Sequence, residues 1–321
     1  MRRALVALAL LALVCPAAAL RAAQQTGGDD DVTLESDLVL VPVAVRKEKG
    51  GVVTDLRKEE LRLIDEGAEQ SIEFFTRDTA PVDVVLLVDS SGSVEGMLDV
   101  IQTAAYEFVK RLRPEDSFSI VTFADRPVIV QGWTADLKKA AAALKEIEPE
   151  GNTTLYGSVV AVVYELFQQR PTEHRRAVIV LSDGDDTLSS VTSRSAARAA
   201  LMHDVSVYVV SIGRIMIPIF DGYANNRAIP LDKRMAFRET AARLRRDEER
   251  LNYLADQTGG RVLYPDGLQD LSKAYGEIAD EIRSRYLVGY YPPSAAHGFR
   301  SITVVTSRKG VRLHARQGYY R

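Results

Sequence analysis

The sequence predicts an α/β protein whose doubly wound, mostly parallel sheet is inserted into a small β-sandwich. Between residues 81 and 285, short apolar runs alternate with helical patterns of about 10 to 20 residues, which is typical of parallel strands joined by right-handed helical crossovers. Residues 32–80 and 286–321 instead show strand patterns without helices. Either set alone has too few strands for a stable sheet, so we predict that the two sets pair with each other.

The first strand of the predicted parallel sheet is its clearest element. Val84 to Val88 form an apolar run that ends at Asp89, as expected for a strand buried on both faces. Apolar residues between Val94 and Leu112 recur at three- and four-residue spacing, which predicts a helix. By the same criteria we predict strands at 118–123, 126–131, 177–181, 205–212 and 261–263, the second of them turned back, and helices at 137–147, 153–169, 192–203 and 268–282.

The flanking segments show alternating apolar residues separated by turns. Valines recur at every second position over 39–45, which indicates a strand with one buried face, and Gly50 and Gly51 mark a hairpin turn. Ala80 and Pro81 mark the boundary with the helical region. Further strands are predicted near 61–63 and 72–74 and, in the C-terminal flank, at 286–291, 301–307 and 311–316.

Residues 1–19 have the pattern of a secretory signal peptide. Arg2 and Arg3 precede an apolar run at 4–14, and the alanines at 17–19 offer a cleavage site. Residues 20–31 are predicted to be a flexible linker, and no other stretch is apolar enough to predict a stable membrane span. We therefore expect a protein that is secreted or held in the periplasm or cell envelope. Lipid attachment at Cys15, the single cysteine, is an alternative that the preceding Val14 disfavours.

Composition and motifs exclude several function classes. The chain has 321 residues, 46% of them hydrophobic, and a formal net charge of −3, so bulk charge does not predict nucleic-acid binding. The sequence has no phosphate-binding Gly-rich loop with its Lys and no nucleophile elbow, and its four histidines show no metal-ligand spacing. These absences predict that the protein is not an enzyme.

Oxygen-bearing side chains gather at the carboxyl ends of the predicted parallel strands. Asp89, Ser91 and Ser93 follow the first strand, Thr153 opens a helix after the loop Glu150-Gly151-Asn152, and Asp183 follows the strand at 177–181. Ligands of open α/β sheets bind at this edge, near the point where the strand order reverses. Carboxylate and hydroxyl oxygens are the ligands of a hard cation such as Mg²⁺.

These segments resemble the metal-ion-dependent adhesion site of the von Willebrand factor A domain. Asp89, Ser91 and Ser93 match the Asp-x-Ser-x-Ser segment, Thr153 matches the threonine that follows a Gly-x pair, and Asp183 matches the aspartate of a Thr-Asp-Gly-like segment, written here Ser182-Asp183-Gly184. Thr154 is the neighbouring hydroxyl and the weaker match. The resemblance covers about residues 81–285 and implies a Rossmann-like sheet. The flanks are similar to a narrower group, secreted bacterial proteins with a β-rich lead-in and a Tyr-Leu-Val-Gly-Tyr-Tyr segment.

The resemblance implies a function in binding. The matched residues would hold Mg²⁺ or Mn²⁺ with few carboxylates, leaving positive charge and an open position for an acidic side chain of a protein partner. An alternative from the residues alone is that Asp89 and Asp183 only cap helix or loop ends. Two other functions stay open: a structural scaffold of the cell envelope without a dedicated acidic ligand, and a metal-dependent hydrolase or phosphotransfer enzyme. The oligomeric state is not predicted.

Two further features are candidates for partner contact. Asp185 and Asp186 follow the predicted metal site and either tune its charge, touch a partner or are solvated loop acids. Residues 214–247 interrupt the expected step from the strand at 205–212 to the next helix, and they include Ile217 and Phe220. This insertion is either an exposed recognition segment or an apolar hairpin folded onto the domain.

Overall fold

A computed structural model describes residues 38–168, 170–171, 173–293 and 297–321. The predicted signal peptide, the linker and Cys15 lie outside the described residues. Within those ranges, no helix combines the length and the apolar character needed to cross a membrane.

The described part of the chain alternates strands and helices in its middle and has strands alone at both ends. The strands are β1 (Val39–Lys47), β2 (Leu61–Asp65), β3 (Ala68–Gln70), β4 (Phe74–Arg77), β5 (Val82–Asp89), β6 (Ser117–Phe123), β7 (Pro127–Thr134), β8 (Arg175–Ser182), β9 (Val205–Ser211), β10 (Val262–Leu263), β11 (Tyr286–Tyr290), β12 (Phe299–Thr306), β13 (Val311–Ala315) and β14 (Gly318–Tyr320). The helices are α1 (Leu98–Val109), α2 (Leu137–Lys145), α3 (Leu155–Leu166), α4 (Ser193–Met202), α5 (Gly213–Asn225), α6 (Leu231–Gln257) and α7 (Leu271–Arg283).

The central sheet confirms the predicted doubly wound fold. Its strand order is β10-β9-β8-β5-β6-β7, all neighbours being parallel except β6 and β7. Every residue of β5 is buried, and its side chains alternate between two cores: Leu86 packs with α1, α2 and α7, whereas Val85 and Leu87 pack with α3, α4 and α6. A strand covered by helices on both faces must be apolar throughout, which is why the run at 84–88 shows no alternation.

The N- and C-terminal strands pair with each other, as predicted. One antiparallel sheet has the order β13-β1-β11-β4 and the other β14-β12-β2-β3. Val43 of β1 lies between Tyr286 of β11 and Ala315 of β13, so the first strand of the flank is held by two C-terminal strands. Residues of both sheets, such as Val43 of β1 and Leu63 of β2, share one core. The α/β domain is therefore inserted into a small β-sandwich.

The segment at 214–247 forms part of a helical hairpin. Helix α5 starts directly after β9, α6 returns after the turn at Pro230, and α6 continues past residue 247 to Gln257. Helix α6 packs on the central sheet only in its C-terminal part, where Leu251 and Leu254 join the core beneath β8 and β9. Two other helices begin later than predicted, because a 3-10 turn over Gly92–Met97 precedes α1 and Thr153 lies outside α3.

A buried charge cluster joins the sandwich to the last helix of the α/β domain. Arg46 of β1 pairs with Glu277 and Glu281 of α7 at 2.8 and 3.5 Å, and Arg261 pairs with the same two carboxylates at 3.0 and 2.8 Å. Two cations and two anions balance here, so the formal charge of the buried cluster is zero.

Candidate metal centre

Three loops meet at the carboxyl edge of the central sheet. The Glu150 amide donates to the Ser90 carbonyl (2.7 Å), and the Gly92 amide donates to the Gly151 carbonyl (3.2 Å). The Thr187 amide donates to the Thr153 carbonyl at 3.0 Å. These backbone bonds tie the loop after β5 to the loop before α3, and that loop to the one after β8. The structure thus brings together the segments that carry the predicted metal ligands.

Asp89 lies at the centre of this site and is fully buried. Its Oδ1 accepts hydrogen bonds from the Ser91 hydroxyl (2.6 Å) and the Ser91 amide (2.9 Å), and its Oδ2 accepts one from the Ser182 hydroxyl (2.6 Å). The Ser93 hydroxyl lies 3.0 Å from that of Ser91. The segment that follows β5 therefore places the Ser91 hydroxyl on Asp89, the last residue of the strand, and the Ser93 hydroxyl next to that of Ser91.

Asp183 adds a second buried carboxyl group. It accepts a hydrogen bond from the Asp185 amide at 3.1 Å and one from the Ser93 side chain. Burial raises the pKa of Asp89 to about 7, repulsion from Asp183 adds to this effect, and the hydrogen bonds from Ser182 and Ser91 oppose it. Burial also raises the pKa of Asp183. Among the described residues neither carboxyl group takes part in an ion pair, although the charge of Arg243, which pairs with Asp185, opposes the rise in the pKa of Asp183.

Thr153 and Thr154 differ in what their hydroxyls contact. The Thr154 hydroxyl donates to the Ala124 carbonyl at 2.8 Å and is therefore engaged at the end of β6. Thr153 is buried, its backbone amide donates to the Thr187 hydroxyl at 3.1 Å, and its own hydroxyl has no hydrogen-bond partner within the described residues. Of the two, Thr153 has the oxygen that is free to bind a ligand.

The donor set fits a hard divalent cation. It consists of two carboxylates and three hydroxyls, those of Ser91, Ser93 and Thr153. The described residues contain no group of three or more His, Cys, Asp or Glu side chains placed to hold a metal ion, so this site differs from carboxylate-rich and thiolate sites. Burial raises the pKa of both carboxyl groups, and a bound cation would stabilise their ionised form. The hydroxyl oxygens beside them would supply neutral ligands.

Sequence reasoning missed the role of Ser182. The sequence pattern marks Ser182 only as the residue before Asp183, yet its hydroxyl donates a hydrogen bond to Asp89 and accepts one from the Gly184 amide at 3.0 Å. The available signal was its position: the last residue of a strand adjacent to β5 lies beside the last residue of β5. Asp125 was missed as well, and it holds the Asn152 amide at 2.8 Å.

The residues predicted to contact a partner have different environments. Asp185 forms two hydrogen bonds with Arg243 of α6, at 2.7 and 2.8 Å, and Asp186 accepts the Ser189 amide at 3.1 Å. Ile217 is only 9% exposed and faces inward. Phe220 is half-buried and stacks on Phe237 with ring centroids 6.1 Å apart. The structure places both aspartates beside the metal-site loops.

The α5–α6 hairpin is packed directly against these loops. A Cβ added to Gly213, the first residue of α5, would lie 2.3 Å from the Asp183 carbonyl oxygen. Gly184 has a φ of +89°, and a Cβ there would lie 2.8 Å from Leu251 of α6. Glycine is needed at both positions, because one requires close backbone approach and the other a left-handed conformation.

Comparison with known proteins agrees with this geometry. The family model of the von Willebrand factor type A domain matches residues 84–185, a range that contains every predicted metal ligand. This chain carries a von Willebrand factor type A (VWA) domain. The central sheet continues beyond the match, through β9 and β10, and α7 packs on one of its faces; the whole α/β unit, residues 82–283, is called the VWA domain below.

Relatives of known sequence or structure are distant. A UPF0353 protein from Nocardia farcinica (strain IFM 10152) is 25% identical over 223 residues, which are 62% of this chain and 62% of that protein. The chain thus spans less than two thirds of that relative. A von Willebrand factor type A structure from Catenulispora acidiphila is 12% identical, with a TM-score of 0.49, and covers 89% of this chain and 74% of its own. Proximal thread matrix protein 1 from the mussel byssus, solved with a zinc-occupied MIDAS motif, is 15% identical, with a TM-score of 0.49, over 68% of this chain and 49% of that one.

Proposed function

We propose that the VWA domain binds a divalent cation, Mg²⁺ or Mn²⁺, through Asp89, Ser91, Ser93, Thr153 and Asp183. We further propose that an acidic side chain of a protein partner completes the coordination, so that the protein is a non-catalytic, metal-dependent binding protein. The observation that carries the proposal is the pair of buried carboxyl groups, surrounded by hydroxyls, without an ion-pair partner among the described residues.

The electrostatics of the site support this proposal. Two carboxylates in a buried site repel each other, and a divalent cation supplies the charge that balances them. Mg²⁺ takes six oxygens and keeps several waters, so a site with two carboxylates leaves positions that an external carboxylate can occupy. Hydroxyl ligands are neutral and do not neutralise the ion further. An incoming acidic side chain is therefore favoured over a neutral one.

Non-catalytic binding is also supported by where the histidines lie. His174 pairs with Asp83 at the opposite end of β5, at 3.2 Å, and His203 follows α4 and packs on Tyr164. His314 belongs to β13 of the sandwich. None of these three side chains stands beside Asp89 as a general base. The signal-peptide pattern at 1–19 leads us to propose that binding occurs outside the cytoplasm, in the envelope or the medium.

Thermal melting with and without metal tests the cation site. The metal-stripped protein should gain about 2.7 kcal/mol of stability when Mg²⁺ is added at a hundred times its Kd, and its melting temperature should rise by several degrees. Asp89→Asn keeps the shape of the side chain but removes its charge, and we expect it to lose this rise. Asp99→Asn, the same substitution at an exposed position of α1, is the matched control and should keep the rise.

Two results would contradict the metal site. One is a wild-type melting temperature that neither Mg²⁺ nor Mn²⁺ changes. The other is an equal rise in wild type and Asp89→Asn, which would place the bound metal elsewhere on the protein.

A further inference from the structure

We propose that the α5–α6 hairpin is the second half of the partner-binding surface and fits a protein partner that is acidic and carries apolar side chains. The surface, called the hairpin surface below, consists of Leu231, Arg234, Met235 and Arg238 on one face of α6, together with Tyr223 of α5. The inference rests on the proposed function in one respect: the same partner reaches the metal centre with its acidic side chain.

The hairpin stands on the same edge of the sheet as the metal centre. Its base touches the metal-site loops at three points: Gly213 against the Asp183 carbonyl, Arg243 on Asp185, and Leu251 against Gly184. Gly184 lies at the carboxyl edge of the sheet, so residues 231–246 of α6 extend beyond that edge. At 1.5 Å per residue this part of the helix is about 24 Å long. This part of α6 therefore projects beside the metal centre and does not pack on the central sheet.

The hairpin surface exposes large apolar side chains that belong to none of the three hydrophobic cores. Leu231 and Met235 are 64% and 61% exposed, more than any other large hydrophobic side chain of the described residues. Tyr223 is 46% exposed, and its ring packs on Phe237 with centroids 5.1 Å apart. Leu231 and Met235 are four residues apart and therefore share one face of α6. An apolar patch that is presented in this way and rimmed by charge is typical of a protein-binding site.

The charge of the hairpin selects an acidic partner. Residues 213–246 contain eight Lys and Arg against three Asp and Glu, a formal charge of +5, and the remainder of α6 to Gln257 adds one Arg and four acidic residues, so that the positive charge is concentrated in the part of the hairpin beyond the sheet edge. Arg214, Arg243 and Arg245 are paired with Glu248, Asp185 and Asp221. Arg234 and Arg238, which lie on the same face of α6 as Leu231 and Met235, have no carboxylate of the described residues within ion-pair distance. A partner that brings a carboxylate to the metal is itself acidic at the contact, and these cations complement it.

The size of the combined surface suits a single partner. Arg243 lies at the edge of the metal-site loops, and Met235 is eight residues away along α6, or about 12 Å. One side of a standard protein interface buries about 800 Å², which is roughly 28 Å across. One partner therefore covers the metal centre and the hairpin surface together.

A labelled amphipathic helical peptide built from Glu and Leu is the probe, and its affinity is measured by fluorescence anisotropy in Mg²⁺. We compare wild type with Arg234→Glu/Arg238→Glu and with Leu231→Ser/Met235→Ser. The matched control is Lys138→Glu/Lys139→Glu on α2, which changes the net charge equally at exposed positions. Both hairpin variants should bind at least about tenfold more weakly, and the control should stay within about twofold of wild type.

The melting shift with Mg²⁺, measured on the same variants, separates the two proposals. Hairpin variants that keep both the Mg²⁺ shift and the peptide affinity overturn the hairpin surface and leave the metal site standing. A wild type without the Mg²⁺ shift overturns the metal site instead. Peptide binding that requires the hairpin but is unchanged by chelation overturns the shared surface. Co-sedimentation of wild type with phosphatidylserine vesicles, lost in the hairpin variants and without peptide binding, would assign the surface to lipid.

Discussion

Ser182 and Ser211 occupy paired positions at the ends of neighbouring strands, and both are fully buried. The Ser182 hydroxyl donates to Asp89, whereas the Ser211 hydroxyl has no hydrogen-bond partner among the described residues. Because the hydrogen bond from Ser182 lowers the pKa of Asp89, it holds that carboxyl group closer to the charged form that binds a cation.

Ser182→Ala should therefore weaken Mg²⁺ binding by about 10- to 100-fold, the usual cost of removing a group that orients a metal ligand. Ser211→Ala is the control, with the same substitution at the same depth, and it should leave the Kd unchanged. Isothermal titration with Mg²⁺ measures both. Equal affinities in the two variants would show that the Ser182 hydroxyl does not act on the site.

At the level of residues, the sequence predicts the grouping of side chains that are close together along the chain. Asp89, Ser91 and Ser93 are neighbours along the chain, so the end of one predicted strand was enough to group them. The pairing of Asp185 with Arg243 spans 58 residues and depends on where α6 packs, which no local pattern encodes. For the same reason Asp185 could be predicted to lie near the site, but not to be held by a cation.

Helix α5 offers a comparison of two glycines within one element. A Cβ at Gly213 would meet the Asp183 carbonyl oxygen at 2.3 Å, whereas a Cβ at Gly222 would meet nothing within 4 Å. Gly213→Ala should thus push the start of α5 from the metal-site loop and destabilise the protein by about 1–3 kcal/mol. Gly222→Ala should stabilise it by about 0.5–1 kcal/mol, since alanine loses less backbone entropy in a helix.

Urea unfolding of the two variants measures the free energy of unfolding, which should fall in Gly213→Ala and rise in Gly222→Ala. Gly213→Ala should also reduce the Mg²⁺ melting shift, because the shifted backbone belongs to Asp183. A Gly213→Ala protein as stable as wild type would show that the close contact relaxes without cost.

Elements with strong periodicity were predicted well, and their ends less well. The inner strands of the central sheet, β5, β8 and β9, are apolar because helices cover both faces, so their positions follow from composition, whereas the edge strand β7 is half-exposed and mixed in composition. The start of α1 was predicted too early, because the apolar spacing from Val94 continues through a 3-10 turn whose backbone is shaped by the loop after Asp89. The hairpin had apolar residues in both helices, but which of them face solvent depends on how α5 and α6 pack on each other.

At the scale of the whole molecule, the apolar cores divide into two groups. The two cores of the VWA domain draw their buried residues from the range 82–282, and the core of the sandwich draws its own from 39–72 and 286–319. No buried residue of one group belongs to the other. Polar links between them include the cluster formed by Arg46, Arg261, Glu277 and Glu281, the pair of Arg316 with Asp204 and the pair of Arg175 with Asp78; Arg261 stays on the VWA side if the flanks are removed.

Residues 81–285 alone should consequently fold, melt cooperatively and keep the Mg²⁺ shift, at a lower melting temperature because Arg46 no longer pairs with α7. The N-terminal flank should behave differently when residues 286–321 are deleted. Strand β1 then loses both β11 and β13, and a strand without neighbours leaves its amides unpaired. Hydrogen exchange should find the β1 amides unprotected while those of β5 stay protected. Protection of β1 in the deleted chain would mean that the N-terminal strands form a folded unit without their C-terminal partners.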